Sequence, residues 1–168
     1  DWSSGVLFRS VPMGAPAFEY EKLFQEKKIQ VFSANFHLYG DMSNRVMSIL
    51  SEYSPEIEIY SIDECFLKLQ GFEHFNLQDY GSEMLHKVVK WTGIPISVGM
   101  APTKALSKVA NRIAKKYPEK TGGVYIIDSE EKRIKALKWL KVEDVWGIGR
   151  QLSKRLKAMN VYTAFEFT

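Results

Sequence analysis

EIEIYSIDECFLKL, Glu56 to Leu69, decides how the chain is read. Ile57 and Ile59, then Phe66, Leu67 and Leu69, make two short apolar runs of strand character. Between them stand two adjacent acids, Asp63 and Glu64. The pattern predicts a β-hairpin with buried flanks and two carboxylates set among them. Carboxylates forced together in such surroundings raise each other's pKa or take a cation between them. Magnesium suits that place, because it binds hard oxygens, commonly one or two carboxylates plus substrate phosphates. The plainer alternative is a pair of solvent-facing turn residues, since Asp is common in turns.

Outward from the hairpin, helix and strand signals alternate. Met42, Val46, Ile49, Leu50 and Tyr53 recur at three- and four-residue steps, which predicts a helix from about Phe36 to Tyr53. Ser54-Pro55 closes it, because the residue before proline is pushed out of the helical region. Downstream, a helix is expected over Asp79–Trp91 with Leu85, Val88 and Val89 inward. GIPISVGMAP (Gly93–Pro102) reads as a buried strand between turn signals, Thr103–Lys116 as a third helix, and TGGVYIID as a turn and a strand. The order α-β-β-α-β-α-β implies an α+β fold, an α/β sandwich built on a ferredoxin-like, split βαβ layer. The opening DWSSGVLFRSVPMGAPAFEY has no sustained period and reads as loop and short irregular pieces. After Ser129 short helical pieces, EEKRIKALKWL and RQLSKRLKAM, flank KVEDVWGIG, as expected of a small helical domain.

Composition bounds the function classes. Of 168 residues, 45% are hydrophobic and 26% charged, as in folded globular chains rather than disordered ones. Cys65 is the single cysteine, so no internal disulfide can form and a reducing, cytoplasmic compartment is expected. No run of about 18 apolar residues marks a membrane span. The net charge of +3 hides an asymmetry: residues 1–86 hold six Lys/Arg against thirteen Asp/Glu, residues 87–168 seventeen against seven. A basic half is either a solvated lysine-rich surface or a polyanion-binding one.

The basic residues are patterned. In the third helix Leu106, Val109, Ala110 and Ile113 make an apolar stripe, while Lys104, Lys108, Asn111 and Lys115 share another face that could meet phosphates. In VEDVWGIGRQLSKRLKAM (Val142–Met159) a Gly-Ile-Gly turn precedes Arg150, Lys154 and Arg155. That arrangement resembles a helix–hairpin–helix element, in which glycines let the backbone approach a phosphate and the helix N-terminus offers N–H donors. Such contacts grip the nucleic-acid backbone without reading sequence. Trp91, Trp139 and Trp146 are expected in the core, and His37, His74 and His86 in surface or packing roles.

YSIDECFLKL, GIPISVGMAPTKALSKVANRIAKK and VEDVWGIGRQLSKRL, in this order, resemble the Y-family, lesion-bypass DNA polymerases. NFHLYGDMSNRVMSIL and DVWGIGR point to the UmuC branch. The resemblance implies residues 1–30 as partial fingers, 31–128 as the catalytic palm and 129–168 as a thumb with the helix–hairpin–helix element. Asp63 and Glu64 match the acidic pair that holds two Mg2+ ions and carries catalysis. Lys115 matches the lysine that contacts the incoming nucleotide, and Gly147 and Gly149 match the DNA-gripping turn, with Arg150 and Lys154 beside it. The implied partners are primer-template DNA and dNTP, with a UmuD-like subunit, a recombinase filament and a sliding clamp as further ones and no membrane. The implied activity is error-prone, template-directed translesion synthesis, SOS mutagenesis in the DNA damage response.

Departures from the family pattern are specific. Its first metal-binding aspartate lies on an N-terminal strand that DWSSGVLFRS does not match, and Asp1 is not given that role. Residues are expected to be missing between Ser10 and Val11, and no little finger follows Thr168, so the sequence reads as a fragment with little or no polymerase activity alone. Cys65 replaces a usual alanine, and Lys68 stands where an acid is common. The alternative is a non-catalytic DNA-binding module on a degenerate palm. A nucleotide cyclase shares the palm-like layer, but has no use for the Gly147–Gly149 grip.

Overall fold

The computed structural model describes residues 11, 12 and 14–168, so Asp1 and Ser10 lie outside the described residues. The chain divides into two compact units, residues 1–36 and 37–168. In the first, a 3-10 turn at Ala17–Tyr20 runs into the short helix α1 (Glu21–Glu26), in keeping with short irregular pieces. Lys27 N–H closes back on Leu23 O at 2.9 Å, and Lys28 follows with φ 52°.

The second unit follows the expected element order. It contains most of α2 (Phe36–Ser51), then β1 (Ile57–Ile59), β2 (Cys65–Leu67), α3 (Leu77–Thr92), β3 (Val98–Met100) and α4 (Lys104–Lys116). A short α5 (Pro118–Thr121) precedes β4 (Val124–Ile126), and α6 (Glu130–Trp139), α7 (Arg150–Ala158) and α8 (Ala164–Phe167) follow. β1 and β2 pair antiparallel with Ile59 opposite Cys65. β3 and β4 pair parallel with Gly99 opposite Tyr125, and α4 supplies the long crossover that parallel strands need. Among the described residues these are two separate two-stranded ladders, so strand pairing does not join them into the single layer expected from the sequence.

Side-chain oxygens set the helix starts. Asn76 accepts from Gln78 N and Asp79 N at the head of α3, Thr103 from Leu106 N at α4, and Ser129 from Lys132 N at α6. Gly93, with φ 72°, ends α3 in the left-handed region that favours glycine.

Two cores result. Val46, Ile49, Leu50 and Tyr53 of the α2 region pack with Met84 and Val88 of α3, Ile94 and Met100. The inward face of α3 is therefore Gly81, Met84 and Val88, and Val89, expected inward, is 38% exposed. It lies one residue past Val88, about 100° around the helix. The second core joins Val109 and Ala110 of α4 to Ile127, Ala136, Leu137, Leu140 and Ala164. The apolar stripe read on α4 thus seats the residues after Ser129, whose boundary is not a break in packing.

Gly99 governs the tightest approach. A Cβ there would lie 2.0 Å from Asn111 N and 2.4 Å from Ser107 O, backbone atoms of α4. Asn111 secures the same contact, donating Nδ2–H to Ser97 O at 2.6 Å. Asn111, read as part of a phosphate-facing row, is instead a fastener between helix and strand.

Candidate active site

β1 and β2 carry Tyr60–Glu64 between them, and the hairpin closes on one acceptor: Tyr60 N–H and Ser61 N–H both donate to Glu64 O, at 3.0 and 3.1 Å. Asp63 sits at the tip, its Oδ1 accepting from Ser61 Oγ at 2.7 Å. Both acids are exposed, and Ile59, Tyr60 and Ile62 around them are exposed too. The expectation of carboxylates set into a buried hairpin is thereby corrected. One side of the hairpin packs on the first core, through Ile57, Cys65 and Leu67. The acids need no partner to offset desolvation, and their position at an open tip leaves their oxygens accessible.

The tip is nevertheless a built site. Lys108 of α4 donates Nζ–H to both oxygens of Glu64, at 3.0 Å to Oε1 and 2.8 Å to Oε2. The same ammonium lies 4.8 Å from the ring centre of Tyr60 and 5.3 Å from that of Trp146. Lys104, one turn earlier, pairs with Glu58 and lies 5.3 Å from the Phe66 ring. Tyr60, Phe66 and Trp146 form a ring cluster, with Trp146 Nε1–H donating to Tyr60 Oη at 3.1 Å. Two of the four residues read as a phosphate face, Lys104 and Lys108, are thus engaged by the hairpin's own glutamates.

Lys115 is exposed at the last turn of α4 and is not part of that contact. Lys68 turns away from the acids and pairs with Glu56 at 2.8 Å. Burial pushes the half-buried Cys65 thiol up to about 11, so it stays protonated beside the site at neutral pH.

Gly147, with φ 90°, turns the chain where a side chain would be strained. Gly149 takes extended backbone as the residue preceding α7, where no side chain caps the first N–H groups. A Cβ on either glycine would meet no heavy atom within 4 Å among the described residues. Arg150 and Lys154, one turn apart on α7, are exposed beside that turn. Trp146, adjoining Gly147, brings this turn to the acidic hairpin. It is 41% exposed, and Trp91 63%, so neither is the core residue that its apolar neighbours suggested.

The donor set suits magnesium in kind: two exposed carboxylates from adjacent residues, one already drawing a cation to both its oxygens. Among the described residues no group of three His, Cys, Asp or Glu side chains is placed to hold a metal. Among them, too, no helix is long and apolar enough to cross a membrane. The Tyr60–Trp146 contact spans 86 residues and had no signal in the sequence.

A family model described as the impB/mucB/samB family matches residues 9–112. Protein UmuC of Salmonella typhimurium is 42% identical over 156 residues, covering 92% of this chain and 37% of the relative. Protein ImpB of Salmonella typhimurium is 40% identical over 93% of this chain and 37% of its own. DNA polymerase IV of Treponema denticola is 37% identical over 71% of this chain and 29% of its own. Among solved structures, the insertion ternary complex of Dbh DNA polymerase superposes with a TM-score of 0.75 at 25% identity, over 95% of this chain and 45% of that one. DinB from Sulfolobus solfataricus gives 0.70 at 27% identity, over 89% and 42%. The chain therefore spans less than half the length of each of these relatives.

Proposed function

The chain belongs to the impB/mucB/samB family, and on that premise we propose that it forms the catalytic palm and part of the DNA grip of an error-prone, template-directed DNA polymerase that copies past damaged bases. The observation that carries this reading is the meeting of the Asp63–Glu64 tip with the residue next to the Gly147–Gly149 turn, through Tyr60 and Trp146. Acids suited to metal and a turn suited to duplex backbone then lie side by side, as primer extension requires. Residues 31–128 serve as the palm, a ferredoxin-like layer in the whole protein, and 129–168 as the thumb with its helix–hairpin–helix element.

Asp63 and Glu64 hold the metal. Two magnesium ions, when bound, supply charge neutralisation at the triphosphate and activation of the primer hydroxyl. Lys115 contacts the triphosphate of the incoming dNTP. Gly147 and Gly149 admit the duplex backbone to the open N–H groups of α7, and Arg150 and Lys154 add charge there. These contacts carry no sequence information, in keeping with an enzyme that accepts any template. A UmuD-like subunit, a recombinase filament and a sliding clamp are carried as partners of the whole protein.

The pairing of Lys108 with Glu64 favours a second reading, a non-catalytic DNA-binding module on a degenerate palm, in which Glu64 is neutralised from within. Primer extension by a full-length protein containing this chain separates the two. Asp63→Ala should lower the rate by about a hundredfold or more, the scale of losing a group that stabilises transition-state charge. Extension at an unchanged rate removes Asp63 from the mechanism, and no extension by the parent favours the module.

A further inference from the structure

Lys108, Arg112 and Lys116 lie four residues apart along one face of α4, and each engages the segment 139–146. Lys108 sits over Trp146 and Tyr60. Arg112 pairs through Nη2 with Asp144 Oδ1 at 2.8 Å. Lys116 lies 5.1 Å from the ring centre of Trp139 and 5.7 Å from that of Tyr117. At each end of the row an indole N–H donates to a phenol oxygen at 3.1 Å: Trp146 to Tyr60 and Trp139 to Tyr117.

The two ends differ in what they hold. Trp139 ends α6 and packs against the second core. Trp146 lies outside both core clusters and is 41% exposed. It meets Tyr60 and Phe66 of the hairpin and Lys108, which itself holds Glu64. An indole left that exposed contributes little to core burial. What it does is fix the residue before a flexible glycine, Gly147, to a point three residues from Asp63. Rigid support of that kind converts a loose juxtaposition into a defined one.

We infer that Trp146 is a positioning residue, which couples the Gly147–Gly149 turn to the acidic hairpin so that a duplex held at the turn orders the Asp63–Glu64 tip. The inference rests on the reading of that turn as a duplex grip. It gives Trp146 no contact with substrate: the residue acts through Tyr60 and Lys108.

Hydrogen exchange on the 168-residue chain, with and without a primer-template duplex, tests it. In the wild type the duplex should slow exchange at residues 147–150 and, by at least threefold, at 60–64. In Trp146→Ala the slowing at 147–150 should persist while that at 60–64 is lost. Trp146→Phe, which keeps a ring over Tyr60 and Lys108, should restore part of it. Should the alanine variant fail to fold, Tyr60→Phe carries the test: it removes the indole's acceptor, and partial loss at 60–64 with an unchanged melting temperature supports the coupling. Slowing at 60–64 that is absent in the wild type, or equal in wild type and Trp146→Ala (or Tyr60→Phe where that variant stands in), overturns the inference. Absence of slowing at 147–150 in the wild type overturns the duplex reading itself and the inference with it.

Discussion

Lys108 holds both carboxylate oxygens of Glu64 with one ammonium, at 3.0 and 2.8 Å, across 44 residues of sequence. A divalent ion at the hairpin tip must share Glu64 with that cation or displace it. Lys108→Met keeps the apolar stem against Tyr60 and Trp146 but removes the competing charge. The variant should bind Mn2+ about two- to fivefold more tightly, the scale of one partly exposed ion pair. Paramagnetic broadening of the residue 60–64 amides during a Mn2+ titration reads this directly, and equal or weaker binding would show that Lys108 does not compete.

Gly99 should be among the least replaceable positions. Gly99→Ala drives a Cβ to within 2.0 Å of the α4 backbone, which must move away from β3. A loss of about 2 kcal/mol or more is expected from the urea midpoint. Gly81 is the comparison, since its Cβ would meet side-chain atoms, Val124 Cγ1 at 2.8 Å and Met100 Cε at 2.9 Å. Met100 Cε ends a flexible side chain and can swing aside, buried Val124 must shift slightly, and the helix propensity gained with alanine, about 0.5–1 kcal/mol, offsets part of that cost. Gly81→Ala should therefore change stability by about 1 kcal/mol or less.

Arg150 and Lys154 should act by charge alone. With both replaced by alanine, duplex binding should weaken to a similar degree for unrelated sequences. The slope of log affinity against log salt should fall by about 2, near one unit for each phosphate no longer neutralised. Fluorescence anisotropy at several salt concentrations measures it, and an unchanged slope would place the duplex elsewhere.

Glu166 gives the end of the chain an acid-sensitive clasp. The backbone N–H groups of Tyr162 and Thr163 donate to Oε2 at 2.8 and 2.9 Å and hold its carboxyl below the usual glutamate range, while Thr163 accepts from Glu166 N in return. A depressed folded pKa means the stabilisation is present above the ordinary glutamate value and lost as pH falls through the folded one. Protection factors at residues 162–168, taken against the intrinsic exchange rate at each pH, should therefore fall on acidification through that range. In Glu166→Gln this step should vanish, and its persistence would assign the effect to another acid.

Much of the architecture was legible because its signals are local. The helix period of α2, the Ser54-Pro55 stop and the βαβ order all follow from neighbouring residues. The apolar stripe of α4 is likewise a matter of spacing, and its Val109 and Ala110 are buried. Val89 was misplaced because two adjacent valines look alike to a periodicity that resolves a face only to within one residue.

The candidate site was legible in its parts and illegible in its assembly. The acidic pair, the Gly-Ile-Gly turn and the cations of α4 are all visible as residue types at fixed spacings, and these the sequence determined by itself. That the acids stand exposed at an open tip, that Lys108 closes on Glu64, and that Trp146 leans on Tyr60 depends on which face of each element meets which neighbour. Cation–ring and indole–phenol contacts require only that two side chains arrive within a few ångströms, and any lysine or tryptophan could make them. Tertiary packing alone chose Lys108, Arg112 and Lys116 over Lys115, because α4 presents those three to residues 139–146 once its apolar stripe is seated in the core.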